Sequence, residues 1–237
     1  MNFAGMINQS LLDYPGEIAT VLFTRGCNFA CPFCHNGHLL LKFNRAQRED
    51  IEMAEVIEFL QERKSFLDAV VISGGEPTLH HDLPEAIRIF KNMGLLVKLD
   101  TNGTNVDMLS RLLDEKLLDY TAMDIKAPLD FKKYQQACGR LTNAEFFNVR
   151  AAINLLQQAE IKVEFRTTVV PELHTFGDIE VIARYIEGAE VYSLQQFNPS
   201  STLDSAYQSC LPYSKEEMQE LSLRCAPYVK EVRVVNI

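Results

Sequence analysis

Short apolar runs alternate with helical patterns along almost the whole chain, and this alternation limits the folds that are available. Seven runs rich in β-branched or apolar residues have the length of buried strands. They are residues 18–24, 68–73, 95–101, 120–126, 161–170, 191–197 and 229–236, the last of which could add an outer strand. Alternating strands and helices need crossover connections, which give a mostly parallel sheet. The chain is therefore predicted to be α/β, either an open doubly wound sheet or a full or partial barrel.

Helical patterns occupy the intervals between these runs. Apolar residues spaced i, i+3, i+4 and i+7 begin at Leu83 and again at Ile179. Capping boxes that begin at Thr142 and Ser214 predict the starts of two more helices. No repeat, low-complexity tract or linker-like stretch interrupts the pattern, so residues 1–237 are predicted to form a single domain.

Composition and charge exclude several classes of partner. The 237 residues include 23 basic and 32 acidic side chains, which gives a net charge of −9. Nucleic acids and anionic membranes reward clustered Lys and Arg, so neither is expected as the main partner. No apolar run approaches the ~18 residues that span a bilayer, and the amino terminus lacks the pattern of a signal peptide. A cytoplasmic location with reduced thiols is therefore expected.

Polar side chains collect where the predicted strands end. The carboxyl ends of parallel strands meet at one rim in both candidate folds, so these segments are predicted to form one site. They are the cysteine loop at 25–38, GGEP at 74–77, DTNGT at 100–104 and DIK at 124–126, with Arg166 and Gln195-Gln196 in the later strands.

The cysteine loop, RGCNFACPFCHNGH, contains three of the six cysteines, Cys27, Cys31 and Cys34. A structural zinc site or a fully ligated iron–sulfur cluster takes four ligands, so the cysteines of this loop supply one ligand too few. Either histidine of the loop could complete a zinc site, the C-x2-C pair could be redox-active, or the thiols could simply be buried. The remaining interpretation is a [4Fe–4S] cluster held at three irons, with the fourth iron open to substrate.

The motif C-x3-C-x-F-C resembles the signature of radical S-adenosylmethionine enzymes, and SGGEP at 73–77 extends the resemblance over nearly the whole chain. The resemblance implies a partial TIM-type barrel of six βα units. It also implies that S-adenosylmethionine binds the open iron and is cleaved to a 5′-deoxyadenosyl radical, which abstracts hydrogen from the target. The residues it implicates are Cys27, Cys31 and Cys34 as cluster ligands, and Phe33, Gly74, Gly75 and Glu76 as cofactor-binding residues.

Within that superfamily the chain is most similar to the activases of glycyl-radical enzymes, and closest to the anaerobic ribonucleoside-triphosphate reductase activating proteins. The expected partner is therefore anaerobic ribonucleotide reductase, one glycine of which receives the radical. Asp13 matches an Asp that lies in activases by the mouth where the glycine loop enters, and it is predicted to be catalytic. Pyruvate formate-lyase activases read D-G-P-G there, whereas this chain has Tyr14. The segments that carry the resemblance are LLDYPG at 11–16, GCNFACPFCHN at 26–36, DTNG at 100–103 and MDIK at 123–126.

Further polar residues carry over from the same resemblance. Asp100, Thr101 and Asp124 match positions at which activases bind a monovalent cation that touches the cofactor carboxylate. Asp and Asn-Gly are equally typical of a simple turn, so the two interpretations of the DTNG segment stay open. Asn102 of that segment is predicted to bind the cofactor.

Lys126 and Arg166 are basic residues in otherwise apolar strands. An unpaired buried charge is expensive, so a carboxylate must lie near them. It belongs either to the cofactor or to a structural salt bridge. His35 either faces the substrate or stabilises the cysteine loop. The sequence suggests a surface or capping position for three other histidines, which are His80, His81 and His174.

The expected electron donor is flavodoxin or ferredoxin. About fifteen residues separate Cys34 from the helix predicted near Asp50, too few for the ferredoxin-like insert of some activases. Two other functions stay open. One is a radical enzyme acting on a small molecule, such as 7-carboxy-7-deazaguanine synthase. The other is a cluster- or zinc-binding redox sensor, which GGEP disfavours because a sensor needs no cofactor pocket. The remaining cysteines are too scattered for a second cluster and are interpreted as structural thiols. They are Cys138, Cys210 and Cys225.

Overall fold

A computed structural model describes residues 1–40 and 50–236 of the chain. Those residues contain ten strands and seven α-helices. The strands are β1 (Asn2–Phe3), β2 (Gly5–Ser10), β3 (Ala19–Thr24), β4 (Ile51–Glu52), β5 (Ala69–Gly74), β6 (Leu96–Thr101), β7 (Tyr120–Asp124), β8 (Lys162–Val169), β9 (Val191–Gln196) and β10 (Glu231–Val235). The helices are α1 (Met53–Glu62), α2 (Leu83–Asn92), α3 (Val106–Asp114), α4 (Phe131–Cys138), α5 (Asn143–Gln157), α6 (Phe176–Tyr185) and α7 (Lys215–Cys225).

Eight of the strands form one sheet in the order β10-β9-β8-β7-β6-β5-β3-β2, and β1 pairs with β4 in a separate antiparallel ribbon. Strands β3, β5 and β6 are parallel neighbours, and so are β8, β9 and β10. Strand β2 is antiparallel to β3 at one edge. The predicted α/β class with a mostly parallel sheet is confirmed, and the run at 229–236 contributes the outer strand β10.

The chain divides into two compact units. The first comprises Met1–Cys27, Leu39–Thr101 and Asp107–Thr121, and the second comprises Asn28–His38, Asn102–Val106 and Ala122–Ile237. The first unit contains β2, β3, β5 and β6, and the second contains β8, β9 and β10. The single domain expected from the sequence stays a prediction.

The core of the first unit is built on β5. Its sequence, AVVISG, begins with four residues that have no exposed surface. Helix α2 turns Leu83, Ile87 and Phe90 inward, and all three are fully buried. Side chains of this size contribute roughly 1.5–3 kcal/mol each when they leave water. Pro84 suits the first turn of the helix, and Gly94 with φ +83° follows its end.

In the second unit, α5 and α7 begin where the sequence predicts. The hydroxyl groups of Thr142 and Ser214 each accept a hydrogen bond from the backbone N–H three residues later, and both capping boxes are complete. Helix α5 then buries Val149, Ile153 and Leu156 along one face. Capping of this kind contributes about 1 kcal/mol and fixes the residue at which a helix starts.

Strand β2 and the ribbon of β1 with β4 are not predicted from the sequence. Strand β2 reads GMINQS and is half-exposed along its length, so it lacks the apolar signature that identifies the buried strands. The predicted spacing between Cys34 and the helix near Asp50 involves residues 41–49, which lie outside the described residues. Within residues 1–40 and 50–236, no helix is both long and apolar enough to cross a membrane.

Candidate functional site

The three cysteines of the cysteine loop lie in different surroundings. Cys31 is buried, Cys27 and Cys34 are partly exposed, and none of them forms a disulfide. The backbone N–H of Cys34 donates to the carbonyl oxygen of Cys31 at 3.0 Å, which closes a tight turn. Burial raises the pKa of the Cys34 thiol, and the Lys126 ammonium acts in the opposite direction.

Three free thiols in one loop fit the donor set of an iron–sulfur cluster, which is held by cysteine thiolates. The Lys126 ammonium interacts with both Cys31 and Cys34, and a neighbouring cation favours the thiolate over the thiol. In the part of the chain that the structure describes, no group of three or more His, Cys, Asp or Glu side chains is arranged to hold a single metal ion. The three cysteines stay the predicted ligands of the cluster.

A turn after α4 holds the cysteine loop from one side. The carbonyl oxygen of Cys138 accepts a hydrogen bond from Ala30 N at 2.9 Å, and Arg140 Nε donates to the carbonyl oxygen of Asn28. Gly139, between them, has φ +73°, and a Cβ atom there would overlap the Ala30 carbonyl oxygen. A glycine after an amphipathic helix predicts the end of the helix. The sequence contains no signal for the loop that this glycine contacts.

Asn28 joins the cysteine loop to two other segments of the second unit. Its side-chain nitrogen donates to Thr104 Oγ1 at 2.9 Å and to Glu145 Oε1 at 2.8 Å, and its oxygen accepts from Asn102 Nδ2 at 2.9 Å. The side-chain oxygen of Asn102 accepts from the backbone N–H and the hydroxyl of Thr104. Asn102 therefore fixes the DTNG segment against the cysteine loop, and contact with the cofactor stays a prediction.

In the first unit, the GGEP segment packs against the residues that lead into the cysteine loop. Gly75 N donates to the Thr24 carbonyl oxygen at 3.0 Å, and Glu76 N donates to the Gly26 carbonyl oxygen at 2.8 Å. A Cβ atom on Gly74 would overlap the backbone of Thr24, and one on Gly75 would overlap that of Gly26. Glycine is required at both positions because two backbones approach closely.

The Glu76 carboxylate is buried, with 1% of the residue's surface exposed. Its Oε1 atom accepts from Thr78 N at 3.1 Å, from Thr78 Oγ1 at 2.5 Å and from Thr101 Oγ1 at 2.7 Å. These bonds join the GGEP segment to the end of β6 and give the buried charge the donors that it needs. Thr101, predicted as a cation ligand, is thus already bonded to Glu76 through its hydroxyl.

Asp124 lies between two cations in the second unit. Arg166 Nε donates to its Oδ1 atom at 2.9 Å, and Lys126 Nζ donates to its Oδ2 atom at 3.1 Å. Burial alone would raise the pKa of the Asp124 carboxyl, but the two cations lower it to about 2. The structural salt bridge considered from the sequence is present. This group of three charges is still net positive, so it can accept a further carboxylate.

Asp100, predicted to bind the cofactor and a cation, has a lysine beside it. Lys98 Nζ lies 3.3 Å from Asp100 Oδ1, and Ser73 Oγ donates to Asp100 Oδ2 at 3.0 Å. The same ammonium donates to the backbone carbonyl oxygen of Asp13 at 2.5 Å. Lys98 is not among the predicted site residues, although a lysine inside the apolar run LLVKLDT is the same signal that identifies Lys126.

The LLDYPG segment has a fixed backbone. Ser10 Oγ accepts from Asp13 N at 3.2 Å and donates to Asp13 Oδ2 at 2.5 Å. Tyr14 is buried, and its ring packs edge-on against that of Tyr120 with centroids 5.5 Å apart. Burial raises the pKa of Tyr14 to about 12. The tyrosine that replaces the glycine of D-G-P-G thus anchors the segment in the core.

The structure also describes the surroundings of Phe33, His35 and His174. Phe33 is buried, and its predicted contact with the cofactor stays a prediction. The His35 ring lies 6.4 Å from that of Phe197. His174 is not a surface residue, because none of its area is exposed. Its Nδ1 atom accepts from the backbone N–H of Val170 at 3.0 Å, so Nε2 carries the proton and donates to the Lys126 carbonyl oxygen at 2.8 Å.

Comparison with known proteins assigns the chain to a family. The model of the Radical SAM superfamily matches residues 21–186. A relative from Methanocaldococcus jannaschii, whose name assigns it to the glycyl-radical enzyme activating enzymes, is 38% identical over 237 residues and covers 99% of this chain and 95% of its own. The pyruvate formate-lyase-activating enzyme of Clostridium pasteurianum is 29% identical over 171 residues, which are 70% of this chain and 67% of that protein.

A solved structure shares the fold. The crystal structure of Streptococcus suis SuiB bound to S-adenosylmethionine superposes with a TM-score of 0.66 at 15% sequence identity. The match covers 91% of this chain and 51% of that one. The predicted fold class, an α/β chain of the partial-barrel type, is confirmed by this likeness together with the parallel sheet.

Proposed function

This chain belongs to the radical S-adenosylmethionine superfamily and, within it, to the glycyl-radical enzyme activating enzymes, and we propose on that premise that it activates anaerobic ribonucleotide reductase. A [4Fe–4S] cluster on Cys27, Cys31 and Cys34 would supply the electron that cleaves S-adenosylmethionine and yields the radical that takes hydrogen from a glycine of the reductase. The observation that carries the activase class is the 38% identity, over 99% of the chain, to a relative whose name assigns it to the glycyl-radical enzyme activating enzymes.

The chain's own residues hold and orient the reactants in this proposal. Cys27, Cys31 and Cys34 act as thiolates, and the Lys126 ammonium stabilises two of them. The net positive group around Asp124 attracts the carboxylate of S-adenosylmethionine, with Arg166 and Lys126 as donors. From the resemblance, Gly74, Gly75 and Glu76 are further proposed to bind the amino group of S-adenosylmethionine through their backbone.

The finer assignments rest on the sequence resemblance. LLDYPG, GCNFACPFCHN, DTNG and MDIK support the reductase as partner over other glycyl-radical enzymes. Asp13 is proposed to act at the entry of the glycine loop. Flavodoxin or ferredoxin is proposed as the electron donor, and a monovalent cation as a further ligand of Asp100, Thr101 and Asp124, whose oxygen atoms suit a hard ion.

The test is direct transfer of the radical. The reconstituted, reduced protein is mixed anaerobically with S-adenosylmethionine and the anaerobic ribonucleotide reductase of the same organism, and the glycyl doublet is recorded by electron paramagnetic resonance. We expect the doublet with wild-type protein and none with Cys31→Ala or with a reductase that lacks the glycine. The proposal fails if no glycyl-radical enzyme of the organism shows a doublet while a small pterin or purine precursor is turned over.

A further inference from the structure

Lys98 is a buried cation that the proposed reaction does not use. It lies in the middle of β6, opposite Val71 of β5, and 3% of its surface is exposed. An ammonium group is placed this deeply only when its partners replace water, because an uncompensated charge is expensive to bury. The partners of Lys98 therefore indicate its role.

Those partners belong to two segments that are far apart in the sequence. The ammonium donates to the backbone carbonyl oxygen of Asp13 at 2.5 Å and lies 3.3 Å from the carboxylate of Asp100. It also lies 5.3 Å from the centre of the Tyr120 ring, the ring on which Tyr14 packs. One cation thus connects the LLDYPG backbone to Asp100, and all three groups lie within the first unit.

The LLDYPG segment combines a fixed backbone with exposed apolar side chains. Ser10 Oγ accepts from Leu12 N at 3.1 Å as well as bonding to Asp13, and Tyr14 is buried. Leu11 and Leu12, by contrast, are 67% and 90% exposed. Apolar side chains on a backbone that is already ordered bind a protein partner with little loss of entropy.

We infer that Lys98 is a positioning residue, which fixes the Asp13 backbone at a set distance from Asp100 and so presents LLDYPG to the protein substrate. The choice of partner rests on the proposed function, whereas the fixing of the segment does not. A lysine that merely neutralised Asp100 would not need the Asp13 carbonyl. The short bond to that carbonyl is what distinguishes the two roles.

The first experiment measures amide hydrogen exchange of residues 11–18 in holoenzyme. In Lys98→Met, which keeps the length of the side chain and removes its charge, exchange should become about tenfold faster, the scale of one lost charged hydrogen bond. Lys91→Met is the matched control, because Lys91 lies in the same unit and its ammonium forms an ion pair with Asp119 at 2.6 Å rather than with the backbone of LLDYPG. It should leave exchange in residues 11–18 unchanged.

A double variant separates the two partners of Lys98. Lys98→Met/Asp100→Asn removes the carboxylate that the single variant leaves uncompensated, so it also protects the test against failure to fold. If Lys98 holds the Asp13 carbonyl, exchange stays about tenfold faster in the double variant than in Asp100→Asn alone. Equal exchange in those two proteins would show that Lys98 only neutralises Asp100, and the inference would be overturned.

The second readout concerns the partner. With anaerobic ribonucleotide reductase as substrate, the double variant should show a KM about tenfold higher than Asp100→Asn at similar kcat, since both lack the Asp100 charge and differ only in Lys98. An unchanged KM with faster exchange would overturn the link to the protein substrate. If the wild-type protein forms no glycyl radical at all, the proposed function fails, whereas the exchange experiment still decides whether Lys98 fixes the segment.

Discussion

Two partly or fully buried charges in this protein, those of Asp124 and Lys98, each contact more than one partner. Asp124 bonds to both Arg166 and Lys126, and Lys98 contacts both Asp13 and Asp100. Such groups cost desolvation energy, and replacing an ion pair by apolar residues is often neutral for stability. Asp124 ends β7, and Lys98 lies two residues before Asp100 on β6, so both are next to segments that the sequence identifies as functional. This placement favours a role in binding over a role in folding.

Arg166 allows a direct test of this view. Arg166→Gln changes the charge of the group around Asp124 from net positive to neutral, so the affinity for S-adenosylmethionine should fall about ten- to hundred-fold, the scale of one charged hydrogen bond. Isothermal titration with cluster-loaded protein measures the affinity, and iron analysis checks the cluster. Arg184→Gln removes an exposed helix pair with Glu180 and should change neither value. If Arg166→Gln binds S-adenosylmethionine with unchanged affinity, the role of Arg166 is purely structural.

His174 predicts a pH effect on stability. Burial lowers its pKa, although the hydrogen bond that Nε2 donates to the Lys126 carbonyl oxygen acts in the opposite direction. In the unfolded chain His174 binds a proton near pH 6.5, whereas in the folded chain it stays neutral to a lower pH. The contribution of His174 to the free energy of unfolding is therefore complete above pH 6.5 and declines as the pH falls below it. The free energy of unfolding should fall by up to about 1.4 kcal/mol per pH unit there.

The measurement is urea unfolding of wild type and His174→Gln at pH 7.5 and pH 5.5 under anaerobic conditions. The variant should be less stable at pH 7.5 and should lose less stability on acidification, because glutamine does not titrate. His81→Gln replaces an exposed histidine and should keep the wild-type pH dependence. Identical pH dependence in all three proteins would contradict the role assigned to His174.

At the scale of secondary-structure elements, the sequence predicts what depends on local pattern. The strand runs and both capping boxes match the structure because buried strands, amphipathic helices and helix caps leave continuous apolar runs, period-3.6 patterns and Ser/Thr-x-x-Glu signals in neighbouring residues. Strand β2 was missed because it is half-exposed. The contacts that shape the cysteine loop were also missed, since Asn28 and Glu145 are 117 residues apart and no local pattern joins them.

The turn after α4 provides a prediction at this scale. Gly139→Ala places a Cβ atom against the Ala30 carbonyl of the cysteine loop, whereas Gly94→Ala meets no atom within 4 Å. Both glycines have positive φ, +73° and +83°, so each substitution should cost about 1–2 kcal/mol of stability. Only Gly139→Ala should also lower the iron bound after anaerobic reconstitution, because it displaces the loop. Equal iron in the two variants would mean that the turn does not position the cluster ligands.

For the whole molecule, the six cysteines separate into three that share the cysteine loop and three that are buried elsewhere in the chain. Cys138 and Cys225 are fully buried, and burial raises the pKa of each thiol to about 12. Cys210 is also buried, with its pKa raised by burial and by Glu172, although a backbone hydrogen bond there acts in the opposite direction. Metal ligation requires the thiolate, so these three sulfurs are poor ligands at neutral pH. In the cysteine loop, burial also raises the pKa of Cys34, but the Lys126 ammonium acts against it there and interacts with Cys31 as well.

Iron content after anaerobic reconstitution tests this division across the chain. Cys27→Ala, Cys31→Ala and Cys34→Ala should each lose the cluster and abolish cleavage of S-adenosylmethionine, because a cuboidal cluster with one open iron already lacks one protein ligand. Cys138→Ala, Cys210→Ala and Cys225→Ala should retain about four irons per chain and lose only the stability of a small buried side chain. Cys138→Ala is the most demanding control, since its backbone carbonyl still holds Ala30 after the thiol is removed. Stoichiometric zinc without iron in the wild-type protein, or loss of iron in Cys225→Ala, would contradict the assignment of the ligands to the loop.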